Sequence, residues 1–96
     1  MLGLAMKAGK IKSGGFLTQE SIRAGTACLV IIAADAQKNT GKRITDKCNY
    51  YNVPFRVYGI KSELGGAIGK GECACAAVTD EGFAKSIMQL TENTGG

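Results

Sequence analysis

The chain offers few side chains able to do covalent chemistry. It has no histidine and no tryptophan, so the imidazole that serves as general base or metal ligand is missing, and with it most hydrolase mechanisms. Cysteines stand at positions 28, 48, 73 and 75, and none of their separations gives the paired C-x-x-C arrangement of a zinc site. Cys28 lies in an apolar run and Cys48 on the inward side of an expected helix, where a small buried thiol is the ordinary outcome. Cys73-Ala74-Cys75 puts two thiols on the same face of an expected strand, too close along it for an unstrained disulfide. Four free thiols are therefore expected, with no metal and no cofactor. The acids Glu63, Glu72, Asp80 and Glu81 fall where helix caps and exposed helix ends place carboxylates. No pair of them stands out as acid and base, and an enzyme is not expected.

What remains is recognition of an anion. Gly14-Gly15 precedes an expected helix, where glycine lets backbone N–H groups approach a negative group. Neither G-x-G-x-x-G nor G-x-x-x-x-G-K-[ST] occurs, and Gly65-Gly66-Ala67-Ile68-Gly69-Lys70 lacks the strand before it and the hydroxyl after it that a nucleotide loop needs. The net charge of +4 is unevenly spread. Residues 1 to 43 hold seven Lys/Arg against Glu20 and Asp35, or +5, and residues 44 to 96 hold five against six acids, or −1. This asymmetry suits nucleic acid before a membrane surface, although any single lysine is by default a solvated surface group. The longest apolar run, Ala27 to Ala34, is far short of the roughly 20 residues a bilayer span requires. Met1 to Met6 is apolar but has no basic region before it and runs into Lys7 and Lys10, the reverse of a signal peptide; a cytoplasmic protein is expected.

These residues must be held by a small number of elements. Leu2, Ala5, Met6 and Gly9 share a helical face, predicting a short helix that stops near Gly9. Lys10 to Ser13 reads as a brief strand. A helix then runs from about Phe16 to Ala24, with Leu17, Ser21 and Ala24 on one side and Gly25 as its stop. Cys28 to Ala33 is a β-branched apolar run, the pattern of a central strand covered on both faces. Asp35 is expected to cap a helix from about Gln37 to Tyr51, with Gly41, Ile44, Cys48 and Tyr51 inward and Lys38, Lys42, Arg43 and Lys47 outward. Phe55 to Tyr58 is a strand with Phe55 and Val57 on one face, and Ser62 is expected to cap a helix from Glu63 to Ile68. Cys73 to Val78 forms a last strand, and Asp80 caps a final helix carrying Phe83, Ile87 and Leu90. Alternating strands and helices predict one domain over residues 1–96, a three-layer α/β/α sandwich around a four-stranded mixed sheet.

The string also resembles a known family. LGLAMKAGKIKSG, IRAGTACLVIIAADAQKNTGK, YNVPFRVYG, ELGGAIGK and AVTDEGFAKSI follow in order and are similar to members of the ribosomal L7Ae family over nearly the whole chain. Lys7-Ala8-Gly9-Lys10, the Gly14 to Gly25 helix, Leu29 to Asp35, Leu64-Gly65 and Ala77-Val78-Thr79-Asp80 occupy its expected spacings. The family's first helix ordinarily begins a turn or so earlier, so the resemblance implies a shortened start. It also implies an α/β/α sandwich that binds structured, kink-turn-like RNA, including ribosomal RNA, through the start of the second helix and the loop before the last strand. RNA shape is what such a site reads.

By motif alignment Gly14 matches the family's glycine. Phe16, Leu17 and Glu20 fall where RNA-binding relatives carry polar, polar and lysine residues, and Lys70-Gly71-Glu72-Cys73 replaces a bulkier apolar loop. The RNA-binding residues expected from charge and resemblance together are Lys10, Lys12, Gly14, Gly15, Phe16, Leu17, Glu20, Lys38, Lys42, Lys70 and Gly71. The ordinary reading of Phe16 and Leu17 is that one or both turn inward as core. Glu20 would repel phosphate unless it pairs with a base such as Arg23. The leading expectation is a monomeric, non-enzymatic, ribosome-associated RNA-binding protein. The alternative is a protein-interaction module on the same fold that has lost kink-turn recognition, with a protein partner at Phe16 and Leu17.

Overall fold

A computed structural model describes residues 7–69 and 71–94, the last five of these by backbone only. In chain order its elements are β1 (Ile11–Ser13), α1 (Gly15–Ala24), β2 (Leu29–Ile32), α2 (Lys38–Tyr51), β3 (Phe55–Val57), α3 (Lys61–Ala67), β4 (Cys75–Val78) and α4 (Glu81–Thr94). The strands form one sheet in the order β1-β4-β2-β3. β4 runs antiparallel to both β1 and β2, and β2 runs parallel to β3, so the sheet is mixed.

The two central strands explain the layers. Every residue of β2 and β4 is buried, and because side chains alternate across a strand both sheet faces must be covered. Leu29, Ile31, Ala76 and Val78 face one side, where Ile11 joins them beneath Leu64, Ile68, Ala84 and Ile87 of the α3 and α4 segments. Val30, Ile32, Cys75 and Ala77 face the other, against Ile22 of α1 and Ile44 and Cys48 of α2. The register sets Val30 opposite Ala77 and Ile31 opposite Ala76, so small side chains on β4 make room for branched ones on β2. Ile22, Leu29, Ile31 and Ile44 are wholly enclosed; truncating any of them to alanine should cost about 2–5 kcal/mol.

Several local expectations are corrected. The inner face of α1 is Thr18, Ser21 and Ile22, whereas Leu17 and Ala24 are exposed; Ile22 takes the core position and rotates Leu17 outward. Asp35 does not cap α2, whose N-cap is Gln37. Its carboxylate instead accepts the Lys61 N–H at 2.7 Å, tying the β2–α2 loop to the start of α3. That helix begins at Lys61 after Ile60 rather than being capped by Ser62, and Glu63 accepts the Ile60 N–H. The last strand starts at Cys75, not Cys73, because the chain bends at Ala74 and the Cys73 N–H is donated to the Lys61 carbonyl. Cys73 and Cys75 therefore lie in opposite core layers rather than on one strand face. Val57 shares a strand face with half-buried Phe55 but is itself exposed, at the end of an edge strand. The short opening helix falls mostly outside the described residues; Lys7 is helical and Gly9 takes φ 73°.

Tyr51, expected on the inward side of α2, is exposed, because the helix reaches its last turn beyond the sheet-facing Ile44 and Cys48; other features stand where the sequence puts them. Gly25 closes α1 in the left-handed region, Ile44 and Cys48 are the buried positions of α2, and the Asp80 carboxylate accepts the Phe83 N–H at the start of α4.

Candidate functional site

The sheet directions gather particular segments at one end of the sandwich. β1, β2 and β3 all finish there and β4 starts there, so the N-termini of α1, α2 and α3 open at that end together with the loop leading into Cys75. Backbone bonds lock it: Gly14 N–H to the Cys75 carbonyl (2.9 Å), Ala33 to Ala74 (2.8 Å), and Ala34 to Gly59 (2.8 Å). The start of α1 and the loop before β4 thus share one edge of the domain.

Gly14 is the hinge of this edge. It takes φ 92° and ψ 157°, a region that side chains with a Cβ essentially do not enter, and it turns the chain from β1 into α1. The helix has no side-chain cap. Its first intrahelical bond runs from Thr18 N–H to the Gly14 carbonyl at 3.0 Å, so the Gly15, Phe16 and Leu17 N–H groups precede the bonded ladder. Phe16 is 75% exposed and Leu17 45%, against the expectation that they would turn into the core. No acid stands in the first turn of α1 or of α2, which leaves the positive ends of both helix dipoles unopposed by their own side chains.

The other expected residues divide. Lys38 opens α2 at this end and Lys42 follows one turn later; both are exposed. Lys12 is exposed on the edge strand opposite Ala77. Lys10 belongs to the far end, where its carbonyl accepts the Thr79 N–H and hydroxyl. Glu20, one turn beyond Phe16, forms an ion pair with Arg23, so its charge is balanced within the helix. Lys70 lies outside the described residues. Gly71 is exposed in the loop, and its carbonyl, with the Glu72 backbone, lies 2.6–2.7 Å from where a Cβ on Gly65 would stand. That close approach explains the Leu64-Gly65 pair: the loop can lie against α3 only because residue 65 has no side chain.

Beneath this edge the chemistry is inert. Burial, and then the neighbouring Cys75, push the Cys48 thiol up to about 11. Burial raises Cys75 as well, opposed by the Thr18 hydroxyl and assisted by Cys73. The Thr18 hydroxyl is buried with no conventional hydrogen-bond partner among the described residues; its interaction is the weak one with sulfur. Neutral buried thiols are poor nucleophiles. Among the described residues no group of three or more His, Cys, Asp or Glu side chains is placed to hold a metal ion, and no helix is long and apolar enough to cross a membrane.

Sequence reasoning does not find the role of Asp35, because its partner, Lys61, is 26 residues away. It does not find Tyr50 either, because only the fold shows that this ring stays uncovered at the end of α2; the one hint is its spacing of 7 and 3 residues after Arg43 and Lys47.

This end of an α/β/α sandwich, built from a glycine turn, a helix start and a loop before the last strand, defines a class. Residues 1–88 match the Ribosomal protein L7Ae/L30e/S12e/Gadd45 family, and the chain belongs to it. It is 45% identical over 92 residues to the RNA-binding protein YlxQ of Bacillus subtilis (strain 168), covering 96% of this chain and 92% of that one. A structure of a protein of unknown function from Bacillus halodurans C superposes with a TM-score of 0.91 at 36% identity, covering 95% of this chain and 92% of that one. The Giardia lamblia 15.5kD RNA binding protein shares the fold, with a TM-score of 0.80 at 24% identity, over 93% of this chain and 76% of that one.

Proposed function

We propose that the protein is a non-enzymatic, cytoplasmic RNA-binding protein that recognises structured RNA of the kink-turn kind, acts in association with the ribosome, and does so as a monomer. The observation that carries this reading is the convergence of three helix N-termini on one open edge bearing Gly14, Gly15, Phe16 and Leu17. Membership of a ribosomal-protein family and the likeness to a bacterial RNA-binding protein support it. Gly14 and Gly15 let the RNA backbone approach the free amides, Lys12, Lys38 and Lys42 meet phosphates, and Gly71 borders the site from the loop. Phe16 and Leu17 offer no hydrogen bonds to base edges, so they pack against bases where polar side chains would read them. Lys10, at the far end, is left with a minor part.

Titration of the protein against a standard kink-turn and a matched plain duplex at two salt concentrations tests this. Selective binding that weakens with salt is expected. Equal, weak binding to both RNAs would favour the second reading, a protein-interaction module. The exposure of Phe16 and Leu17 is the observation in its favour, since apolar groups at an interface centre suit a protein contact.

A further inference from the structure

The outer side of α2 carries a feature that the open end does not use. Arg43, Lys47 and Tyr50 follow at separations of 4 and 3 residues, which align side chains along one helix face. The ring of Tyr50 is 78% exposed. Tyr51 packs against it in a T-shaped pair, with centroids 4.8 Å apart and planes at 71°, which helps hold the Tyr50 ring. Arg43 is exposed and Lys47 half-buried; among the described residues neither has a carboxylate within ion-pair distance. The helix holds one acid, Asp46, a turn before Tyr50.

We propose that Tyr50 is a stacking platform for an unpaired base of single-stranded RNA, with Arg43 and Lys47 on the flanking phosphates. An uncovered aromatic ring beside cations is the combination that holds splayed-out bases, which a duplex does not present. Charge complementarity points the same way, since α2 sets Lys38, Lys42, Arg43 and Lys47 against Asp46 alone. A protein contact is less well served: the exposed residues of α2 are Lys38, Asn39, Lys42, Arg43, Asp46, Asn49, Tyr50 and Tyr51, with no aliphatic side chain to form a dry centre. Tyr50 lies about 18 Å along the helix axis from Lys38, so a strand leaving the open end and following α2 reaches it. The inference rests on the RNA-binding reading but not on the kink-turn.

The test compares kink-turn RNA without a tail, the same RNA carrying an unpaired tail of about eight nucleotides at either end, a length such stacking surfaces cover, and free oligoadenylate of that length. A tail at one end should tighten wild-type binding about tenfold. Tyr50→Ala should abolish that gain, an effect of about tenfold, while Tyr50→Phe keeps it and untailed RNA binds both variants like wild type. Asp46→Asn should strengthen the tailed complex. Oligoadenylate bound through Tyr50 without kink-turn selectivity would uphold this inference and sink the kink-turn reading. A tail that adds nothing, a gain that survives Tyr50→Ala, or a Tyr50→Ala variant altered in sedimentation but not in RNA binding would overturn it. Because Tyr50 is exposed, an unchanged circular dichroism spectrum is expected throughout.

Discussion

The two ends of the sandwich are built from the same four strands yet differ in kind. One collects the starts of α1, α2 and α3, with unbonded amides on α1, carboxylates of Asp35 and Glu63 on the first N–H groups of α3, exposed apolar side chains and a loop seated against a glycine. The other collects the ends of α1 and α2, each closed by a left-handed residue, Gly25 or Asn52, whose N–H returns to a helix carbonyl. Helix starts leave donors free and helix ends leave acceptors free; the start of α4, at the second end, is capped by Asp80 and carries Glu81, whereas the starts of α1 and α2 at the first end have no acid in their first turns and attract anions. At the closed end the cap N–H groups return to carbonyls of their own helices. The open end is held in shape by long-range bonds while its outward donors stay available.

The contrast is broken most severely at Gly65. Gly65→Ala sets a Cβ against the Gly71 and Glu72 backbone and should destabilise the fold by about 2–3 kcal/mol through overpacking. Gly66→Ala, exposed with open space around it, should stabilise by about 0.5–1 kcal/mol. Urea unfolding of the pair decides it; equal effects would mean that the loop does not depend on the missing side chain at residue 65.

Charge is the next lever. Lys38→Ala with Lys42→Ala should lower RNA affinity and reduce the salt slope by about two, roughly one for each phosphate that is no longer neutralised. Lys10→Ala at the far end should leave the slope nearly unchanged. Binding measured across a salt series separates them, and the reverse ranking would move the RNA to the closed end.

Caps come third. Asp35→Ala and Asp80→Ala each remove a carboxylate from a helix-start N–H and should each cost about 1 kcal/mol in urea unfolding. Only Asp35→Ala should also weaken RNA binding, because it loosens the open end.

The buried Cys48 thiol contributes to alkaline stability. With the Cys48 thiol raised from 9.0 to about 11, the unfolded chain loses this proton before the folded one does. Its contribution is complete below about pH 9 and is lost as pH climbs toward about 11. Denaturation midpoints should fall across that window, and Cys48→Ala should show a smaller fall relative to its own neutral-pH value. The smallest effect belongs to Glu20→Gln. Since Glu20 already pairs with Arg23, releasing Arg23 should raise RNA affinity in the same titrations by less than about threefold, as exposed pairs contribute little.

Legibility follows the range of the interaction concerned. The β2 run, the Gly25 stop, the Asp80 cap and the inward Ile44 and Cys48 depend on residues within a turn or two, and each is readable from the chain. The facing of α1 is not, because Leu17 and Ile22 offer competing apolar stripes and only packing against the sheet selects Ile22. Local reasoning gives Asp35 to the nearer helix start, whereas its partner is the backbone of Lys61. It gives Cys73 and Cys75 one shared face, but alternation holds only within a strand, and the bend at Ala74 ends the strand between them.

By itself, then, the sequence determined the layered class, the apolar central strands, the absence of imidazole chemistry and the cationic bias of the N-terminal half, since composition and local periodicity express these directly. The tertiary structure decided which helix starts share an end, that Phe16, Leu17 and Tyr50 stay uncovered and that Gly65 yields its place to the loop. Each of these depends on strand order and on groups brought together from distant parts of the chain, and hydrophobic periodicity carries no record of either.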